Sequence, residues 1–375
     1  MGDKFSTARR FFPVRRNYVY LNHAAVSPLS KRVTAGLRQQ VDEQEEYGGR
    51  AEHLWESRAE DARAEAARLL GTRKSEIAFV KNTTEGLNLF ARGIRWKKGD
   101  NVVLPRVEFP ANVYPWLGLK DEGVRLKFVA EHDARIRLED IERAMDRRTR
   151  VVAISFVEFM SGFRNDLAAL GKLCRSQGVY LVVDGIQGVG ALRLNLKKCM
   201  VDALSCGGHK WLLAPQGTGL FYCSSRVLDE LKHPMPGWMS VVGWTNYYKF
   251  DYKLWPTSRR YESAQKNFLG ITGLLESLKL INELGIGDIE KRIVALTDRL
   301  CKRLASRGMS VFSPRDEGEK SGIVSFLPGK HKAEKVCEHL LGQGFVTAAR
   351  NGRIRVSPHY YNTFDEIDRL VRSLP

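Results

Sequence analysis

The apolar run Val179-Tyr-Leu-Val-Val183 ends in a carboxylate, Asp184, and downstream the segment Ser205-Cys-Gly-Gly-His-Lys210 brings a lysine out of a second short apolar run. A desolvated lysine amine has a lowered proton affinity and can attack a carbonyl carbon to form a Schiff base. A buried carboxylate can hold a ring nitrogen protonated, so that the ring accepts electrons from a substrate carbon. These are the two groups that pyridoxal 5'-phosphate (PLP) requires of a protein. Lys210 by itself would read as a surface charge. Asp184 changes that reading, because a carboxylate at the end of a strand buried on both faces is costly unless a cation meets it.

A phosphate would also need a seat. Lys81-Asn-Thr-Thr-Glu-Gly86 stands where a strand gives way to a helix, and free backbone N–H groups with the helix dipole favour an anion there. Thr83 and Thr84 add hydroxyl donors. Taken alone, the same residues describe an ordinary threonine cap of a helix over 83–94.

The elements that must position these residues alternate along the chain. Strands are expected at 76–80, 101–105, 124–130, 151–159, 179–184, 203–208 and 217–223, with helices between them at 138–146 and 166–178. This pattern predicts an α/β fold, a large doubly wound and mostly parallel sheet whose strand ends bind the ligand. After the Gly/Pro/Trp-rich segment 233–256 the pattern changes to one long helix from about 270 to 307, short strands at 321–328 and 352–358, and a last helix at 364–374. The expected organisation is an N-terminal segment, 1–20, packing on a small domain; a large PLP-binding α/β domain, 21–255; and a small α+β C-terminal domain, 256–375.

Composition limits the function classes. Hydrophobic residues make up 43% and charged residues 27% of the 375, as in a soluble globular protein, and no apolar run is long enough to cross a bilayer. The basic start lacks an apolar h-region, so it is not a secretory signal, although Met1-Gly2 with Ser6 fits the loose myristoylation pattern. Six scattered cysteines without a C-x-x-C pair read as reduced thiols in a cytoplasmic protein, and no metal-ligand cluster is seen. The formal charge of +17 is spread along the chain, which points to a solvated basic surface rather than a specific nucleic-acid groove.

Taken together, YLNHAAVSPL (20–29), KNTTEG (81–86), VEFPANVYPW (107–116), VVDGIQGVG (182–190), GGHKW (207–211) and RIRVSPHYYNT (353–363) resemble the class V aminotransferases, a branch of the fold-type I PLP-dependent enzymes that includes cysteine desulfurases and isopenicillin N epimerase-like proteins. The resemblance implies that Lys210 forms the Schiff base and Asp184 pairs the pyridinium. It also implies that Gln187 bonds the ring's 3'-oxygen, that His209 and Thr84 hold the phosphate, and that Phe109 stacks on the ring. Arg355 would bind the substrate's α-carboxylate, with Arg350 either a second anion contact or a solvated loop charge. His23 would border the entrance, as a substrate contact or a structural cap. Members are homodimers, and Arg260–Asn267 resembles a segment that reaches the neighbour's phosphate.

The departures from the family bear on the reaction. Desulfurases carry a histidine where Phe109 stands, and a loop cysteine shortly before the carboxylate-binding arginine. Here 344–353 is short and has no cysteine, so a persulfide-forming desulfurase is not expected. The expected function is a PLP-dependent aminotransferase acting on a small amino substrate with a keto-acid co-substrate. A PLP-dependent lyase or epimerase is the alternative, and a ligand-sensing or nucleic-acid-binding module, with no membrane role, is the non-enzymatic one.

Overall fold

The chain is a computed structural model that describes residues 4–375, so the Met1-Gly2 pattern lies outside the described residues. A two-residue strand, β1 (Val19–Tyr20), precedes seven strands: β2 (Ile77–Val80), β3 (Asn101–Pro105), β4 (Arg125–Val129), β5 (Thr149–Ser155), β6 (Tyr180–Asp184), β7 (Ala203–Gly207) and β8 (Gly219–Cys223). These seven form one sheet in the order β2-β8-β7-β6-β5-β3-β4. Strands β7, β6, β5, β3 and β4 are parallel, while β8 runs antiparallel to both β2 and β7. The sheet is therefore mixed through a single reversed strand.

The central runs lack polar alternation because both faces are covered. Val183 packs with the helices at 52–70, 167–176 and 268–284, whereas its neighbour Val182 packs on the opposite face with the helix at 83–93 and Trp116. Each fully buried valine contributes roughly 1.5–3 kcal/mol relative to exposure. The order of the strands reverses between β3 and β5, which places a crevice at the carboxyl ends of those two strands.

The C-terminal part builds a three-stranded antiparallel sheet, β9 (Val324–Phe326), β11 (Ala348–Arg350) and β12 (Arg353–Val356), in the order β11-β12-β9. Strand β10 (Phe345–Val346) pairs instead with β1, so the N-terminal segment is stitched to this region. Phe12 stacks on Tyr361 at 4.0 Å between centroids, and Arg9 pairs with Glu366 at 2.5 Å. The single long helix expected from 270 to 307 is two helices, 268–284 and 286–305. Gly285, with φ of 79°, breaks the run in a conformation that a side chain would resist.

Candidate active site

Asp184 and Lys210 stand on neighbouring strand ends. Asp184 is the last residue of β6, paired in register with Ser155 of β5 and Ser205 of β7, and Lys210 follows β7 by three residues. The turn carrying Lys210 is closed by Gly208 N–H to Thr218 O at 2.7 Å and Leu213 N–H to Lys210 O at 3.0 Å. Leu213 sits at φ of 54°, a left-handed conformation that is strained for leucine and is held by this closure, by Ala214 N–H on Gly208 O at 2.9 Å and by burial of its side chain in the core.

Asp184 is 2% exposed and accepts one hydrogen bond, from Ile186 N–H at 2.9 Å. Burial lifts its carboxyl to about 6, opposed by the Ile186 bond and by the charge of Lys210. Lys210 is pushed the other way, to about 8, chiefly by burial; Asp184 partly restores it, and Arg355 and Arg350 lower it further. The Asp184 carboxylate is only partly compensated by Lys210, and a cationic ring nitrogen beside it would supply the counter-charge that burial withholds.

The phosphate turn is tied to this pair. Gly207 N–H of β7 donates to Thr83 Oγ1 at 3.0 Å. The helix at 83–93 approaches β7 closely at Gly86, where an added Cβ would lie 2.3 Å from Ser205 Oγ, and that buried hydroxyl has no partner among the described residues. The cap is Asn82, whose side chain accepts from Glu85 N–H at 2.9 Å, rather than a threonine. Asn82 takes the cap because its short amide oxygen reaches the third helical N–H, which leaves Thr83 buried and Thr84 exposed in the first turn. His209 is half-buried beside Lys210, and burial followed by the Lys210 charge lowers its pKa.

Phe109 leaves the crevice after β3, 42% exposed, with its ring centroid 5.5 Å from Lys210 Nζ and 5.2 Å from the Phe159 ring. Arg355, on β12, is 2% exposed; its Nη1 donates to Phe159 O at 3.0 Å, its Nε has no partner, and it forms no ion pair among the described residues. Burial, then the nearby Arg350, lowers its pKa to about 10. A buried guanidinium without an anion is a seat for one.

Two expected contacts are placed differently. His23 is 0% exposed; its Nδ1 meets Ser357 O at 2.8 Å and its Nε2 meets Tyr361 Oη at 2.7 Å. Both ring nitrogens are thus committed inside the protein, and of the two roles expected for His23 the geometry matches the structural one, a buried link between the N-terminal segment and the C-terminal region. Gln187 is also committed at both ends of its amide, donating to Ala24 O at 3.0 Å and accepting from Trp211 Nε1 at 2.9 Å, which leaves one N–H for a ring oxygen. Arg350 is exposed, with Nη1 on Ala349 O. The segment Arg260–Asn267 is anchored by a buried pair between Arg63 and Glu262 at 2.6 Å.

Two further carboxyls, not among the expected site residues, are buried here. Glu108 is buried with its oxygens bonded to Ser155 N–H at 2.6 Å and Ser155 Oγ at 2.7 Å, and burial raises it to about 8. Glu158 is buried with one oxygen on Asn165 and the other unpartnered, and burial raises it well above the carboxylate range. Each immediately precedes a phenylalanine of the site.

A mixed sheet with a buried acid and amine on adjacent strand ends, a strand-to-helix turn tied beside them and an unpaired guanidinium is the arrangement of the fold-type I PLP proteins. The sequence profile described as "Aminotransferase class-V" matches residues 19–370, and the chain belongs to that family, whose cofactor is PLP. A probable cysteine desulfurase of Methanothermobacter thermautotrophicus is 30% identical over 98% of this chain and 96% of its own. A probable cysteine desulfurase of Pyrococcus abyssi is 29% identical over 97% and 95%. Among solved structures, an apo cysteine desulfurase from Thermococcus onnurineus superposes with a TM-score of 0.88 at 26% identity, covering 98% and 96%. A complex of a cystine C–S lyase with cysteine persulfide gives 0.90 at 22% identity, covering 97% and 98%, and shares the fold.

Proposed function

We propose that this PLP-dependent class V enzyme transaminates a small amino acid. The observation that carries the reading is the convergence of Lys210, Asp184 and Phe109 with Arg355, a buried guanidinium that lacks an anion. PLP, when bound, supplies an electron sink conjugated to the substrate's Cα. Lys210 would hold the cofactor through its amine and, once displaced by the substrate amine, move the proton at Cα. Its lowered pKa keeps a usable fraction of free base near neutral pH. Asp184 would keep the ring nitrogen protonated, and Thr83, Thr84 and His209 would seat the phosphate. Arg355, oriented by Phe159 O, would donate to the α-carboxylate. Phe109 would cover the ring and exclude water; it has no proton to transfer. Transamination asks for no further group, because Lys210 can redeliver the proton it has taken.

The relatives favour a second reading, a C–S lyase acting on a cysteine-type substrate. This chain would run that reaction without a protein persulfide. The stretch between β10 and β12 has no cysteine, and Cys337 sits half-buried on the helix at 333–342, accepting from Thr347 Oγ1 at 3.4 Å, with burial raising its pKa.

We further infer a cytoplasmic homodimer with a keto-acid co-substrate. The exposed aromatics of 247–252, among them Tyr248 at 96% and Phe250 at 98%, are surface that a second copy would cover. The deciding experiment incubates the holoenzyme with a panel of amino acids and no keto acid, following the cofactor's visible spectrum and the products by mass spectrometry. Stoichiometric conversion of the cofactor to its amine form with release of one keto acid supports transamination. Sustained turnover with pyruvate and a sulfur product overturns it in favour of the lyase.

A further inference from the structure

We propose that the edge of the seven-stranded sheet opposite the active site carries a binding site for a compact polyanion of the oligophosphate class. Strands β3, β4 and β5 are parallel, and their first residues, Asn101, Arg125 and Thr149, stand together at the amino-terminal edge. A cleft of about 500 Å³ opens there, lined by Lys98, Lys120, Arg125 and Arg148 together with Gly99, Gly123 and Val124. The four cations come from separate segments of the chain, and the backbone fixes those segments to one another. Gly99 N–H donates to Gly123 O, Arg125 N–H to Asp100 O and Asn101 N–H to Arg148 O, all at 2.9 Å.

The glycines are part of the construction. A Cβ at Gly99, whose φ is 92°, would lie 2.1 Å from Arg148 Nη1, so the guanidinium lies against this glycine and is held by Lys98 O at 3.3 Å. A Cβ at Gly123 would press on Lys98 at 2.9 Å.

None of the four lining cations has an ion-pair partner among the described residues, although Lys127, also on β4, pairs with Asp146 at 2.6 Å. Asp146 is further occupied by Asn101 and by the backbone N–H of Arg148. Of the other nearby acids, Asp100 is buried with Oδ2 accepting from Lys97 N–H at 2.9 Å, and Asp121 and Glu122 are exposed in the turn that carries Lys120; none of them lines the cleft. Like charges gathered around one cleft repel one another, and a ligand bearing several negative charges relieves that repulsion at each contact. Convergence on one concave volume, rather than along a stripe, fits a compact ligand better than the track of a nucleic-acid backbone. The seven residues of β5 separate this edge from Asp184 by about 20 Å, so the ligand would not meet the amino substrate.

The test is calorimetric titration of the holoenzyme with sodium tripolyphosphate at constant physiological ionic strength. It compares the wild type, Lys98→Gln/Arg125→Gln, and the control pair Lys330→Gln/Lys332→Gln, which removes equal charge from an exposed loop elsewhere. The expected result is one-site binding to the wild type and the control, weakened about tenfold or more in the cleft variant, with the cofactor spectrum unchanged. Absence of saturable binding, or an equal loss in the control pair, overturns the proposal. Tighter binding of a short DNA duplex that the same cleft substitutions abolish overturns it too, in favour of a nucleic-acid surface. None of these outcomes depends on which reaction the enzyme catalyses.

Discussion

Gly207 N–H donates to Thr83 Oγ1 at 3.0 Å, so the first turn of the helix at 83–93 and the strand that delivers Lys210 are tied together. Thr83→Val keeps the shape of the side chain and removes the acceptor, leaving a buried N–H unsatisfied. The expected cost is about 1–3 kcal/mol of stability in denaturant unfolding, with weaker cofactor retention on dialysis. Thr83→Ser should restore both; full stability in the valine variant would mean that the bond contributes nothing.

Lys210→Ala should leave the fold intact and abolish covalent attachment of the cofactor. Borohydride reduction followed by mass spectrometry of the denatured chain should add the cofactor mass to the wild type, on the peptide containing Lys210, and add nothing to the variant. Labelling of another lysine would move the catalytic amine elsewhere.

Asp184→Asn should stabilise the apo protein while weakening the holo protein. Burial raises the Asp184 carboxyl to about 6, so the native state holds its proton more tightly than the unfolded chain does. That contribution to stability is fully present below pH 4 and is lost as pH rises through 6. Asparagine removes the loss, worth up to about 3 kcal/mol at pH 8, and can still accept from Ile186 N–H. Thermal melts of the apo forms should differ little between wild type and variant near pH 4, differ by about half of the full amount at pH 5 and by all of it at pH 8, whereas cofactor affinity should fall in the variant.

Capture of PLP by the apo enzyme should quicken with alkalinity. Lys210, brought to about 8 mainly by burial, is mostly protonated below that pH and mostly free above it. Stopped-flow absorbance should show roughly a tenfold rise in rate between pH 7 and pH 9, then a plateau. Arg355→Gln removes one of the charges that lower Lys210, so its midpoint should move to higher pH; an unchanged midpoint would place the guanidinium out of reach of the amine.

Arg355→Gln should also raise the KM for the amino substrate by roughly thirtyfold or more while cofactor affinity changes little, since it removes one side of a buried charge-assisted contact. Arg350→Gln, at an exposed position, should have a much smaller effect. Equal losses of substrate and cofactor binding in the Arg355 variant would give that residue a structural role.

Much of this architecture was legible because burial on both faces writes an unbroken apolar run. The strand at 101–105 and the helix at 83–93 lie within a residue of their expected bounds. The strand expected to extend to 159 stops at Ser155; Phe156 and Val157 are apolar because they pack in the core, and the chain there turns back to bridge Val157 with Arg164 instead of continuing the sheet. The break at Gly285 was not apparent, since the apolar periodicity continues across it and only the backbone angle marks the turn. His23 and Gln187 carry the residue types of a ligand contact, but their hydrogen-bond partners, Tyr361 and Trp211, are distant in sequence. The burial of Glu108 was not apparent, because Arg106 interrupts the apolar run before it, whereas an unbroken run leads into Asp184.

The hairpin that joins β11 to β12 turns through only Asn351 and Gly352, at φ of 45° and 72°, with Arg350 directly opposite Arg353 and Ala348 opposite Arg355. A two-residue turn with both dihedrals positive matches the twist of its strands and has little freedom to flex. Arg350 and Arg355 are thus two marks on a stiff ruler, their separation set by the sheet's own repeat. Lengthening the turn by even one residue would shift that spacing and, with it, where Arg355 stands relative to Phe159 and Lys210.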